Sequence, residues 1–354
     1  MQDYLPTIIG QQSVKNRLQI YSQSYNKTGV LPPLLLHARK GAGKTKIVRE
    51  WNQTLKNPNG NRPPLMEVNA ASIKNAESFF QQVFPVWENR GAMLFLDECH
   101  NLPDDLEQVF LTALERSDDP VRRVTVNLRE EGPTDFTIDL RKMSVVMATT
   151  DPQKMASPLL DRLTKLTIGS YSNEDLYKIF NLNLKCQVSE HIKQEVLFVF
   201  RGHPRACVEL ADELDHFAEA KGKTYINREL FLEFCETMDI HPYGLDSSEM
   251  EVIKILGERG QCSLQQLASA TGHSKQVIQQ KYEDALLNKG LMDIDGKRRL
   301  TSLGRQLYLS HFVNPDSVSR PEPKTEEATT PVEVVQEVQR TIDATRIQNP
   351  LYGR

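Results

Sequence analysis

The stretch Leu34-Leu35-Leu36-His37-Ala38-Arg39-Lys40-Gly41-Ala42-Gly43-Lys44-Thr45 carries a short apolar run into a Gly-rich loop that ends in Gly-Lys-Thr. Backbone N–H groups of such a loop wrap phosphates, and the N-terminus of the helix it opens favours negative charge. Lys44 can then reach β- and γ-phosphates, and the Thr45 hydroxyl can ligate Mg²⁺, which is the chemistry of a P-loop. Ala38 stands where the pattern has its first glycine; Gly41 and Gly43, where the backbone must close on phosphate, are present. Further along, Met93-Leu94-Phe95-Leu96-Asp97-Glu98 is an apolar run ending in two carboxylates. In a Walker B motif, Asp97 would hold Mg²⁺ through its water shell and Glu98 would polarise the attacking water. A chance Gly-Lys-Thr or an acidic helix cap accounts for either motif singly, but not for their order.

Met147-Ala148-Thr149-Thr150 ends another apolar run, with Thr150 and Thr149 at the place called sensor 1, in reach of the attacking water or γ-phosphate. Taken alone, a Thr pair at a strand end is structural. Arg162, closing Ser157-Pro158-Leu159-Leu160-Asp161-Arg162, gains a role only where a neighbouring subunit's γ-phosphate meets it. Arg205, in Arg201-Gly202-His203-Pro204-Arg205, is a second candidate phosphate contact.

These residues must be positioned by alternating strands and helices. Apolar runs at Leu34–Leu36, Leu65–Asn69, Met93–Leu96 and Val145–Ala148 predict parallel strands with crossover helices between them, from Met1 to about Thr167. Leu106, Val109, Phe110, Ala113 and Leu114 recur at helical spacing after Pro103 and Asp104. Alternation on both sides of Gly132-Pro133 predicts a hairpin over residues 121–140. After about Ser172 the strand signals disappear, and helical patterns run to about Ile240. Three more helical patterns, at 250–256, 264–270 and 275–286, precede strand-like runs at 291–294 and 299–301 around Asp295-Gly296-Lys297, which is a winged helix-turn-helix pattern. From Asn314 the composition shifts to Pro, Glu, Thr and Ser and predicts a disordered tail, interrupted by one weakly helical segment over residues 331–347.

Composition bounds the rest. The chain has 354 residues, 43 Lys and Arg against 47 Asp and Glu, and 39% apolar residues. This near-neutral balance announces no nucleic-acid or membrane partner, so any such partner must meet a local patch. No membrane-length apolar run and no signal-peptide pattern is present, and the five cysteines lack the spacing of metal or redox sites, which predicts a cytoplasmic protein with reduced thiols and no membrane partner.

The order of these motifs resembles the RuvB family, the bacterial AAA+ motors of Holliday-junction branch migration. Ile8-Ile9-Gly10-Gln11, the P-loop, Asp97-Glu98-Cys99-His100, the long hairpin, Ala148-Thr149-Thr150, the Asp161-Arg162 pair, the Arg201–Arg205 segment and the winged helix carry it, over about residues 7–312. The resemblance implies an α/β AAA+ P-loop NTPase core with a parallel sheet over residues 1–171, a small helical lid domain over 172–243 and a winged-helix DNA-binding domain over 244–312. It implies ATP and Mg²⁺ as cofactors, Thr45 and Asp97 on the metal, and Lys44, Glu98, Arg162 and Thr150 as the catalytic set. Ile8, Ile9, Ala38, Gly41, Ala42, Gly43, Lys44, Thr45, Lys46, Tyr171 and Arg205 would line the nucleotide, with Arg162 the finger acting on the neighbouring subunit. Lys297, Arg298 and Arg299 in the wing would touch the DNA backbone, which positions without reading sequence. The implied partners are duplex or four-way-junction DNA, further copies in a ring expected to be a hexamer, and a RuvA-like protein held through hairpin 121–140.

The chain departs from the family at several points. Its N-terminal arm is short, Arg39-Lys40 replaces a proline pair, Leu160 replaces an arginine, and the hairpin tip Arg129-Glu130-Glu131-Gly132 is charged where an apolar surface is expected. That drift suits a divergent or phage-encoded member with another partner. Two other readings stay open: a clamp-loader-type subunit, because Ala148–Lys154 resembles that class's sensor strand, and a non-motor ATP switch whose winged helix binds DNA or protein. Residues 246–312 hold nine Lys or Arg against eight Asp or Glu, so DNA affinity per subunit is expected to be weak and salt-sensitive.

Overall fold

The computed structural model describes residues 4–115, 117, 119–129, 132–200 and 202–313. The predicted tail segment with its helix over 331–347, the tip residues Glu130 and Glu131, and Arg201 lie outside the described residues. The chain forms two compact units, Met1–Ser247 and Ser248–Arg354.

The first unit is built on five parallel strands: β1 (Leu34–His37), β2 (Leu65–Asn69), β3 (Met93–Asp97), β6 (Ser144–Thr149) and β7 (Thr164–Thr167), in the order β2-β3-β6-β1-β7. The inner strands are apolar over Leu34–Leu36, Met93–Leu96 and Val145–Ala148 because both sheet faces are covered there, the expected pattern of a parallel sheet. On one face Leu35, Leu94, Leu96, Val145 and Met147 join Phe79, Trp87 and Phe110; on the other Leu34, Leu36, Met93, Phe95, Val146 and Ala148 join Leu18 and Trp51. Each such fully buried large side chain contributes about 1.5–3 kcal/mol relative to exposure. Strand register places Leu36 beside Ala148, His37 beside Thr149 and Leu96 beside Met147, so the carboxyl ends of β1, β3 and β6 lie at one edge of the sheet.

The predicted hairpin is β4 (Val121–Leu128) paired antiparallel with β5 (Gly132–Asp139). Val124, Val126, Leu128 and Ile138 enter the core beside Phe80 and Phe84, while Arg123, Thr125, Asn127, Asp135 and Thr137 are exposed. Period-two alternation therefore spends the hairpin's apolar residues on its own domain. The helical region after Ser172 has its own core, with Leu176, Phe180, Val196, Leu214, Phe231 and Phe234 fully buried. It also holds two strands where none was expected, β8 (Gln187–Val188) and β9 (Tyr225–Ile226), paired in parallel.

In the second unit, helix Leu264–Thr271 starts with a Ser263–Gln266 capping box. The next helical run, Lys275–Asn288, passes through a π turn at Ile278–Glu283. The strands β10 (Gln261–Cys262), β11 (Met292–Asp295) and β12 (Lys297–Leu300) form a sheet in the order β10-β12-β11, with Gly296 at φ 66° in the wing turn. A final helix, Ser302–Tyr308, follows the wing and was not expected.

Candidate active site

The phosphate loop leaves β1 and turns twice through left-handed glycines, Gly41 at φ 78° and Gly43 at φ 90°. Gly43 caps helix Lys44–Thr54 without a side-chain cap bond, and the first-turn N–H groups have no partner within the helix. At Gly41 a side chain would also collide with His203, so both conformation and space require glycine. Lys44 is buried, with Nζ 3.4 Å from the Ala38 carbonyl oxygen. Burial holds its pKa below the usual lysine value, against the pull of the Glu98 and Asp97 carboxylates.

Thr45 Oγ1 donates to Asp97 Oδ2 at 3.1 Å, and Asp97 Oδ1 accepts the Glu98 N–H at 2.9 Å. Glu98 itself adopts the left-handed conformation, φ 52° and ψ 43°, unusual for a side-chain-bearing residue. Its Oε2 accepts from Thr150 Oγ1 at 3.1 Å, across from β6. A hydroxyl and a carboxylate, both oxygen donors, suit Mg²⁺, which keeps several waters and takes the rest of its shell from substrate phosphates. No cluster of three His, Cys, Asp or Glu side chains competes for a metal among the described residues.

These groups open on a cleft of about 470 Å³. Of the residues singled out in the sequence, Ile8, Ile9, Gly41, Ala42, Gly43, Lys44, Thr45, Lys46, Asp97, Glu98, Tyr171 and Arg205 line it; the Ala38 carbonyl contacts Lys44, and Thr150 reaches it through Glu98. Tyr171 OH donates to the Ala42 carbonyl at 3.0 Å, and burial pushes its pKa up to about 12, so it stays a neutral donor. The Arg205 N–H donates to the Gly41 carbonyl at 3.2 Å. Thr7, Ile47, Arg49, Ile179, Val208 and Glu209, which the sequence reading did not single out, line the cleft as well, together with Lys40 and Pro204. Nor did it assign a role to His100, 3.4 Å from the Glu98 carboxylate, although its place two residues after Glu98 was a usable signal.

Arg162 is not among the residues lining this cleft. It ends helix Ser157–Arg162, with Nη1 donating to the Pro158 carbonyl at 2.7 Å and a buried Nε that has no hydrogen-bond partner.

In the wing, the three cations do not share one face. Lys297 is exposed, and Arg299 is half exposed with Nη2 2.9 Å from Asp293 Oδ2. Arg298, between them on the strand, turns inward and pairs with Glu283 at 2.7 Å, with side chains only 12% and 8% exposed. Strand alternation thus removes Arg298 from the expected DNA-facing trio.

Family models match both units. The Holliday junction DNA helicase RuvB P-loop domain matches residues 2–167, and the RuvB C-terminal winged helix domain matches residues 242–309. The Holliday junction branch migration complex subunit RuvB of Rickettsia africae (strain ESF-5) is 23% identical over 315 residues, covering 85% of this chain and 86% of its own length. Among solved structures, a Thermotoga maritima RuvB described as a Holliday junction branch migration motor is similar at 22% identity and a TM-score of 0.65, over 86% of this chain and 96% of that one. A variant of the same protein gives a TM-score of 0.66, with 97% of its chain covered.

Proposed function

The chain belongs to the RuvB family, and from that membership together with the cleft we propose that it is an ATP-hydrolysing, ring-forming DNA motor that drives Holliday-junction branch migration or a related remodelling step. One observation carries the reading: Lys44 and Thr45 after β1, Asp97 at the end of β3, Glu98 after it and Arg205 line one cleft, and Thr150 after β6 joins them through its bond to Glu98.

ATP would lie with its phosphates in the loop at 38–45 and its adenine near Ile8, Ile9 and Tyr171. Lys44 and Arg205 neutralise phosphate charge, and Thr150 hydrogen-bonds the γ-phosphate or the attacking water. Mg²⁺, held by Thr45 and by Asp97 through water, would screen charge between the β- and γ-phosphates. Glu98 accepts the proton of the attacking water. Arg162 acts in trans on the next subunit's γ-phosphate, which requires a ring, taken here as a hexamer.

We assign residues 1–171 to the ATPase domain, 172–243 to the lid and 244–312 to the DNA-binding winged helix. Lys297 and Arg299 supply the wing's phosphate contacts. The exposed face of hairpin 121–140 is polar, which favours a RuvA-like partner that docks through hydrogen bonds and charge. No helix among the described residues is long and apolar enough to cross a membrane, and none of the five cysteines is in a disulfide, in keeping with a cytoplasmic location.

The test is ATPase activity with four-way junction, with linear duplex and without DNA, alongside particle imaging of ATP-bound Glu98→Gln protein. Junction-stimulated hydrolysis and closed rings support the motor. An open or pentameric assembly silent to junctions favours a clamp-loader-type subunit, and nucleotide-dependent site binding without translocation favours an ATP switch.

A further inference from the structure

Thr150 is not alone at the Glu98 carboxylate. Two residues after Glu98, in the short 3₁₀ turn Cys99–Asn101, His100 places Nδ1 3.4 Å from Glu98 Oε2 and 3.0 Å from Thr149 Oγ1. Its other ring nitrogen, Nε2, lies 3.3 Å from Asn101 Nδ2. With the Asn101 amide assigned as donor, Nε2 is the acceptor and the imidazole proton sits on Nδ1, directed at Thr149 with the Glu98 oxygen alongside. Thr149 is fully buried, and its Oγ1 also accepts the Asp151 N–H at 3.0 Å. One imidazole therefore ties the turn after β3 to the last residues of β6, and the His100 side chain is itself only 11% exposed.

We propose that His100 is the positioning residue of Glu98, clamping the turn that carries the base to the strand end that carries the Thr150 hydroxyl. The proposal rests on the ATPase reading above. Glu98 sits in a left-handed backbone conformation that a free loop would abandon, so something must hold it. Thr150 has one hydroxyl proton, spent here on Glu98 Oε2. A γ-phosphate that takes this proton removes that contact, and His100 then remains beside the same oxygen and keeps the carboxylate aimed. Base and sensor thereby respond to the nucleotide as one piece, the base-and-orienter arrangement that positioned proton acceptors need.

The experiment measures single-turnover ATP hydrolysis per bound ATP, with four-way junction present, in wild type, His100→Ala, His100→Phe, His100→Asn, Thr150→Ala and the His100→Ala/Thr150→Ala double variant. Melting temperature and ATP-analogue affinity are recorded beside it. His100→Ala and His100→Phe, the second of which keeps the ring volume, are expected to bind ATP within about two-fold of wild type and to hydrolyse it about ten-fold more slowly. His100→Asn, which retains a donor, recovers part of the rate. The double variant is expected to be no slower than the slower single one, because both act through Glu98. Wild-type rates in both His100→Ala and His100→Phe overturn the proposal, as do single-variant losses that multiply in the double. A wild-type protein that hydrolyses no ATP overturns the ATPase reading as well, whereas wild-type hydrolysis with normal His100 variants overturns this proposal alone.

Discussion

Arg298, on the wing strand β12, and Glu283, in the π turn of the helix that precedes the wing, form a 2.7 Å ion pair almost wholly inside the winged-helix fold. Within the π turn Tyr282 and Glu283 are both buried. The pair anchors the wing, and it leaves Lys297 and Arg299 as the cations that face outward.

That arrangement predicts opposite behaviour for adjacent residues. Arg298→Met alone strands a buried carboxylate and is expected to cost about 3 kcal/mol, while the Arg298→Met/Glu283→Leu pair returns near wild-type stability. The double variant keeps the wild-type dependence of duplex affinity on salt, whereas Lys297→Ala lowers that slope by about one. Fluorescence anisotropy titrations across a salt series check this; an equal loss of slope in the Arg298 double variant refutes it.

Sites shared between subunits can be rebuilt by mixing. On the proposed reading Glu98→Gln loses the base and Arg162→Ala the finger, and each is expected to lower junction-stimulated ATPase at least about 100-fold. Equimolar mixtures should recover part of the rate, because some interfaces then hold an intact Glu98 opposite an intact Arg162. A mixture no faster than either parent places Arg162 outside the neighbour's site.

Asp239 stands where the helical region ends, at φ 53°, and its carboxylate accepts hydrogen bonds from the Ser247 hydroxyl and N–H and contacts His241. The Ser247 hydroxyl bond, above all, holds its pKa below the ordinary carboxylate value. Its stabilising contribution is therefore fully present above the unfolded-state pKa and is lost as pH falls through the lower native one. Urea midpoints of wild type and Asp239→Asn should differ at about pH 7 and converge at about pH 2; a gap that widens on acidification contradicts the assignment.

Five residues on, Gly244 lies at φ 65°, where an added Cβ would collide with the Val199 carbonyl oxygen. Gly244→Ala is expected to cost at least about 2 kcal/mol, through strain and overlap together. Denaturant unfolding monitored by circular dichroism measures the cost, and a loss within about 0.5 kcal/mol removes the requirement for glycine.

The cleft was largely legible in the sequence because a sheet covered on both faces writes its inner strands as unbroken apolar runs, and each run ends where chemistry begins. Edge and satellite strands leave no such trace. β7 buries only Leu166 fully, and β8, β9 and β10 are two residues each, too short for any periodicity. Arg298 and Arg299 look alike in sequence, and only strand phase and the position of Glu283 fifteen residues earlier separate them. His100 stood beside a recognisable motif, yet its role depends on Thr149, which reaches it from another strand through the fold.

At the phosphate loop, the bond from Arg205 to Gly41 is made by main chain on both sides. Replacing the guanidinium thus leaves the tether between these two segments in place, so charge and closure at this position are separable variables. A series of neutral, shorter and cationic side chains at residue 205 can tune how strongly the nucleotide is gripped while the loop keeps its shape, and the N–H of that same residue serves as a hydrogen-exchange reporter of when the tether opens.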